Sequence, residues 1–147
     1  MSAAVLARVF YPHNTRAYIR EVMLYDGWGY VNRAGRVVRT PLMDNGADPP
    51  SEGYIRVVGA TGLFGFVDMR LTTRVAPQFE HLEPLCHGRA RFGAHCKTEC
   101  SGGCEHHVTT CDAYGIVARN GKTLEHLHPY KEDRDGADAR EPNDCER

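Results

Sequence analysis

Nowhere does the chain carry the ~18 consecutive apolar residues that a membrane-spanning helix needs. Its start, Met1 to Phe10, has a short apolar run broken by Arg8 and followed at once by Tyr11-Pro12-His13-Asn14. That segment lacks the basic opening and the long apolar core of a secretory leader. The two absences point to a cytoplasmic location, where reducing conditions favour metal-bound or free thiols over disulfides. Charge of one sign is missing as well: the formal net charge is −1 over 147 residues. No overall field therefore favours nucleic acid or an acidic membrane. No phosphate-cradling loop, GxSxG elbow or HExxH pair occurs. Gly59-Ala60-Thr61-Gly62 is glycine-rich but opens a strand, not a helix, and Asp44, Asp48 and Glu52 lack the bidentate glutamate of a calcium loop. Long stretches of 3.6-residue periodicity are absent too, which predicts little helix. The length fits one domain with a modest core.

What is present is a recurring phrase: Trp28-Gly29-Tyr30-Val31, Phe64-Gly65-Phe66-Val67 and Tyr114-Gly115-Ile116-Val117. The first two copies lie 36 residues apart. Their surroundings share that offset, with Tyr18-Ile19-Arg20 recurring as Tyr54-Ile55-Arg56, Val22 as Val58 and Pro41 as Pro77. The third copy follows after 50 residues, an excess of 14 over one period, and the excess falls on Cys96 to Cys111. A fixed period of this size marks stacked supersecondary units that bury their apolar faces against one another.

Each unit reads as a three-strand meander. A β-prone run such as Tyr18 to Leu24 comes first, then the aromatic-glycine phrase, then a strand after a tight turn. Asn32-Arg33-Ala34-Gly35 and Asn120-Gly121 supply the turns, with Gly35 at positive φ. Glycine inside a strand normally weakens it, so the phrase glycine marks a close approach, here expected from a neighbouring ring. The expected fold is all-β: tandem antiparallel hairpin or meander repeats over residues 1–130, with units at about 17–44, 53–80 and 88–128. Residues 131–147 hold almost no apolar side chain and are expected to be an acidic, disordered tail. An array this short leaves sheet edges open unless closure, capping, self-association or a partner covers them.

The phrase, followed by Asn or Asp, a Gly-basic pair, and later Pro and an acid, resembles the WG-containing repeat of bacterial proteins. Gly27 to Val38 matches most closely. The second copy keeps Asp68 and Ala76-Pro77-Gln78-Phe79-Glu80 but has Leu71 at the turn glycine; the third has Ala118 at the Asn/Asp position. The resemblance spans roughly residues 17–128 and implies a β-rich scaffold without shared catalytic residues.

Four of six cysteines and three of eight histidines fall between His95 and Cys111. Zinc takes four thiolate or imidazole donors in a tetrahedron, and Gly102-Gly103 lets a short loop wrap one ion. The expected ligands of a structural Zn2+ are Cys96, Cys100, Cys104 and Cys111, with His106 or His107 as substitutes. Disulfides and plain thiols are the competing readings. An open site with Glu99 or Glu105 as general base would instead make a metal-dependent hydrolase. Cys86-His87 and His126/His128 are left outside the cluster, and Cys145 reads as a free thiol.

The leading expectation is a non-enzymatic interaction module, an adaptor or an antitoxin- or immunity-like partner, built on a structural zinc site. Its partner is a protein. The alternative is a zinc-stabilised nucleic-acid-binding protein, because aromatic and basic residues recur together at Tyr18/Arg20, Tyr54/Arg56 and Arg89/Arg91/Phe92.

Overall fold

The computed structural model describes residues 17–41, 46–101 and 106–129, without side chains for 101–107. The expected leader-free start and the expected disordered tail lie outside the described residues, as do Asp44, Cys104 and Cys145. What is described is all-β: ten strands and no helix. β1 (Ile19–Leu24), β2 (Gly27–Asn32) and β3 (Val37–Arg39) form unit one. β4 (Tyr54–Val58), β5 (Phe64–Asp68) and β6 (Thr73–Phe79) form unit two, and β7 (His81–Leu82) lies in the linker that follows. Unit three is β8 (Arg89–Ser101), β9 (His106–Ala118) and β10 (Thr123–Pro129). Units one and two share a six-stranded antiparallel sheet in chain order, joined by the single pair Arg39↔Val58. Unit three and β7 make a second sheet, ordered β10-β9-β8-β7.

The three phrases occupy the central strands β2, β5 and β9, as their spacing predicts. At Gly29 and Gly65 the space a Cβ would fill is taken by backbone of the next strand, at Val38 and Val75. The expected ring is found only at Gly115, where Phe92 Cζ lies 2.6 Å and the Glu125 carbonyl oxygen 2.7 Å from that position.

Two core clusters repeat each other at six positions. Tyr30, Val38, Ala47, Ile55, Val57 and Val67 fill the junction between units one and two. Phe66, Val75, Leu82, Ala90, Phe92 and Val117 fill the corresponding places between units two and three. Each junction therefore seats the second aromatic of one phrase against the valine of the next. Neither unit buries its core alone, which is how a stacked array is stabilised.

The first strands do not keep the 36-residue offset that the sequence suggests. Ile19 pairs with Asn32, whereas Tyr54 pairs with the equivalent Asp68, so Arg20 corresponds to Ile55 and Glu21 to Arg56. The cause is loop length. Two residues, Tyr25 and Asp26, join β1 to β2, while Gly59 to Leu63 join β4 to β5. A one-residue slip turns every side chain to the other face. Arg20 thus occupies a position that is apolar core in the two later units, on the side of unit one facing away from unit two.

The linkers are also built alike. Glu52-Gly53 (φ 52° and 78°) and His87-Gly88 (φ 53° and 75°) are two-residue turns with both residues left-handed. Each is closed by paired backbone bonds, Ser51 with Tyr54 and Cys86 with Arg89. The turn after each phrase strand is a second repeated device. Gly35 has φ 92° and Gly121 φ 86°, and Leu71 holds the same conformation at φ 64°. Leu71 is fully buried in the first junction, so packing overrides the strain of the turn. Left-handed leucine costs about 1 kcal/mol or somewhat more, and emptying a buried leucine site costs about 3 to 5 kcal/mol. Leu71→Gly should therefore destabilise the protein by about 2 kcal/mol, measured by denaturant unfolding. A gain in stability would show that turn strain dominates.

Candidate functional site

The third unit departs from the other two in the length of its hairpin. β8 and β9 pair in a single register from Arg89↔Ala118 to Ser101↔His106, passing over His95 and Asp112. On one edge, β7 pairs only with Phe92 and Gly93 of β8. On the other, β10 pairs only with Ala113 to Val117 of β9. Beyond that base, among the described residues, the two strands run on as an arm with both edges unpaired. Thr98, Val108, Thr109 and Thr110 suit an extended pair because β-branched side chains pack on a pleated surface. The excess residues thus extend a regular ribbon, where a metal-wrapped loop was expected.

A two-stranded ribbon is marginal by itself in water. This one is fastened at its root. Cys96 and Cys111 stand opposite each other and form a disulfide, S–S 2.08 Å. Their sulfurs lie over Gly93, where Cys96 Sγ would be 3.2 Å and Cys111 Cβ 2.9 Å from an added Cβ. Only a residue without a side chain leaves room for the bridge. Beside it His95 takes a left-handed conformation, φ 54°, and its N–H donates to Glu80 Oε2 at 2.7 Å. The Cys111 N–H donates to the Tyr114 hydroxyl at 3.1 Å. One rung outward, the hydroxyls of Thr98 and Thr109 meet at 2.9 Å.

Three of the four expected zinc ligands, Cys96, Cys100 and Cys111, are disulfide-bonded in this structure. A sulfur in a disulfide is not a thiolate and does not serve zinc. The physical reason is placement: facing positions on antiparallel strands bring two cysteines directly together, whereas a tetrahedral site needs four donors converging from around an ion. Among the described residues no group of three or more His, Cys, Asp or Glu is arranged to hold a metal. Cys104 and the side chains of His106 and His107 lie outside the described residues. Cys86, left out of the cluster by its position, is also disulfide-bonded, and His87 is a turn residue.

Between the arm and the first sheet lies a cleft of about 580 Å³, lined among others by Arg39, Arg56, Phe64, His81, Thr98 and Thr109. Phe64 and His81 face each other with ring centres 6.1 Å apart. Arg56 is fully engaged: Nε and Nη2 hold both Asp48 oxygens at 2.9 and 2.7 Å, and Nη1 donates to the Leu82 carbonyl at 2.9 Å. Arg39 pairs with Asp26 at 2.7 Å on a half-exposed surface.

No protein-family model, curated protein or solved structure matches this chain.

Two of the arginines in the basic–aromatic groups that favoured nucleic acid, Arg56 and Arg91, have structural duties. Arg91 grips Glu83 through Nε and Nη2 at 3.0 and 2.9 Å while covering the Tyr114 ring at 4.0 Å. Arg56 is tied to Asp48. Guanidinium groups neutralised by neighbouring carboxylates offer little to a phosphate backbone. Sequence reading missed both acids, yet a signal existed: Asp48 and Glu83 each stand eight residues before their arginine. Tyr30, whose hydroxyl donates to the Asp48 carbonyl at 2.8 Å, is pushed up to about 12 by burial first and then by Glu21 and Asp48.

Proposed function

We propose that the protein is a non-enzymatic protein-interaction module and that the β8–β9 arm is its recognition element. One observation carries this reading: a regular strand pair, stapled at its root, presents two unpaired edges beyond the second sheet. Exposed strand edges are templates for a partner strand, with main-chain hydrogen bonds giving affinity and alternate side chains giving selectivity. Lys97, Thr98, Glu99 and Thr110 are exposed along the arm, and Val108 is 56% exposed. The closest functional analogy is an adaptor or an antitoxin- or immunity-like neutralising partner, in keeping with the resemblance to WG-containing repeats.

The bonded cysteines support a working form in an oxidising compartment over the cytoplasmic location read from composition, because glutathione keeps cytosolic thiols reduced. Among the described residues no helix is long and apolar enough to cross a membrane. Zinc belongs, in this reading, to the reduced chain alone, where Cys96, Cys100, Cys104 and Cys111 would all be thiols.

A photo-crosslinking residue at Thr110 should capture one partner protein stoichiometrically from the native host, and the same residue at Met69, exposed in another unit, should not. Cys96→Ser/Cys111→Ser should reduce capture at least tenfold by freeing the arm. Removing a bridge across 15 residues costs about 3 kcal/mol, so circular dichroism must show the variant folded. Equal capture from both positions would defeat the assignment of the arm.

A further inference from the structure

We propose that two clefts meeting at Arg39 form one trough, which takes an extended acidic segment of the partner protein. This deepens the reading of the chain as an interaction module and rests on it. The cleft under the arm, of about 580 Å³, and a second of about 690 Å³ beside β3 and the end of β4 share Asp26, Arg39 and Val58. Each has the size of a ligand cleft, roughly 300 to 1,000 Å³. Joined at that point, they suit a length of chain better than a compact molecule.

The second cleft exists because a ladder stops early. Beside β3, the Thr40 N–H donates to the Trp28 carbonyl, and the Arg36 carbonyl accepts from the Asn32 N–H. Main-chain groups alternate in direction along an antiparallel strand, so Val37 and Arg39 turn theirs towards β4. Arg39 meets Val58 there, in the single pair between the two strands. The next pair would join Val37 to Ala60, but β4 has already turned away. The Gly59 N–H donates to the Leu63 carbonyl and the Gly62 N–H to the Gly59 carbonyl. Val37 and Ala60 line the second cleft, and the Val37 N–H and C=O find no ladder partner on that side among the described residues. Such an edge is a template for a strand supplied by another chain.

Charge selects the occupant. Where the clefts meet, Arg39 and Asp26 form a half-exposed pair. Arg36, whose Nη2 donates to the neutral Thr73 hydroxyl, lines the second cleft. Arg56 is already neutralised by Asp48. Two arginines therefore face one aspartate among the lining residues, and the excess charge fits a carboxylate. Under the arm, Phe64 and His81 stand with ring centres 6.1 Å apart, and the Thr98–Thr109 hydroxyl pair lines the same cleft. Alternate residues of an extended chain face one side. The fitting segment therefore carries an aromatic residue, an acid and a β-branched residue at every second position. Antiparallel to β3, it lays the aromatic ring by Phe64 and His81, the acid on Arg39 and the third residue along Val37.

Fluorescence anisotropy on the full-length, oxidised chain tests this with the peptide fluorescein-Ser-Tyr-Ser-Glu-Ser-Val-Ser-amide. Binding should weaken about tenfold when glutamine replaces the peptide's glutamate, the loss of a hydrogen bond to a charged group. Arg39→Gln in the protein should weaken it about as much, and Lys122→Gln, which lines neither cleft, should leave it unchanged. The peptide exchange is read on the native chain, so it stands even where Arg39→Gln disturbs folding. Equal binding of the two peptides overturns the proposal, as does no binding. Displacement by an equal concentration of phenylacetate would assign the cleft to small aryl carboxylates and remove the segment as its occupant. A photo-crosslinking residue at Ala60 should capture the same protein as one at Thr110, and the peptide should block capture at Ala60. Capture at Thr110 alone keeps the arm and overturns the trough; peptide binding with capture at Ala60 alone keeps the trough and defeats the arm.

Discussion

Replacing Asp48 with alanine is expected to lower the free energy of unfolding by about 3 to 5 kcal/mol. Asp48 is 3% exposed, and both its carboxylate oxygens are bound by Arg56. Its main chain is equally committed, since its carbonyl accepts from the Tyr30 hydroxyl and its N–H donates to Thr40 Oγ1 at 3.2 Å. Arg56 in turn reaches the Leu82 carbonyl in the second linker. One ion pair thereby ties the first linker, a strand of unit two and the second linker together. Removing the acid leaves a largely buried guanidinium, whose side chain is 14% exposed, facing no opposite charge. The loss comes from that orphaned charge more than from the attraction itself, because desolvation offsets most of the Coulomb gain. A paired Asp48→Leu/Arg56→Met variant should accordingly recover most of the stability. Denaturant midpoints with unchanged m-values would measure both effects, and a single-variant loss below about 1 kcal/mol would reduce the pair to a surface bridge.

The second large effect is expected at Gly65. Gly65→Ala should cost about 3 kcal/mol, the upper range for an overpacked site. The new methyl would meet the Val75 carbonyl, with Pro77 N at 2.7 Å and the Ala76 carbonyl carbon at 2.9 Å. These are backbone atoms of β6, so relief requires moving a strand. Gly62 is the control. Its φ is 82° and nothing lies within 4 Å of an added Cβ, so Gly62→Ala should cost only about 1 kcal/mol from backbone strain. Equal losses at the two sites would mean that the phrase glycine is required for conformation and not for close approach.

These two residues illustrate how much of the architecture is written locally. The aromatic-glycine phrase can be recognised without a structure because it encodes a strand whose middle another backbone must touch. Turn glycines such as Gly35 and Gly121 are equally legible, since positive φ restricts the residue type. Leu71 is the exception that packing explains: the same turn accepts a leucine once its side chain fills the first junction. The partnership of Asp48 with Arg56 is half legible, visible as a spacing that recurs in Glu83 and Arg91 but without meaning until the linkers are folded back on the strands.

The arm was legible as an excess, rich in cysteine and histidine. Cys96, Cys100, Cys104 and Cys111 supply enough donors for zinc, and the repeat alignment already puts Cys96 and Cys111 on adjacent strands of one hairpin, approaching each other at its base. Pairing register then sets Cys96 directly against Cys111. Gly93 completes the arrangement from a strand position whose importance appears only when the sulfurs lie over it.

The sequence by itself determined that this protein is all-β, built of repeated units around an aromatic-glycine phrase, and enlarged in its third hairpin. Those properties rest on short-range chemistry: strand propensity, turn conformation and a fixed period. The tertiary structure alone decided the one-residue slip that turns Arg20 outward, the bonding of Cys96 to Cys111, and the ion pairs that lock the linkers. Each of these depends on which residues face one another across strands, a relation set by loop length and sheet register.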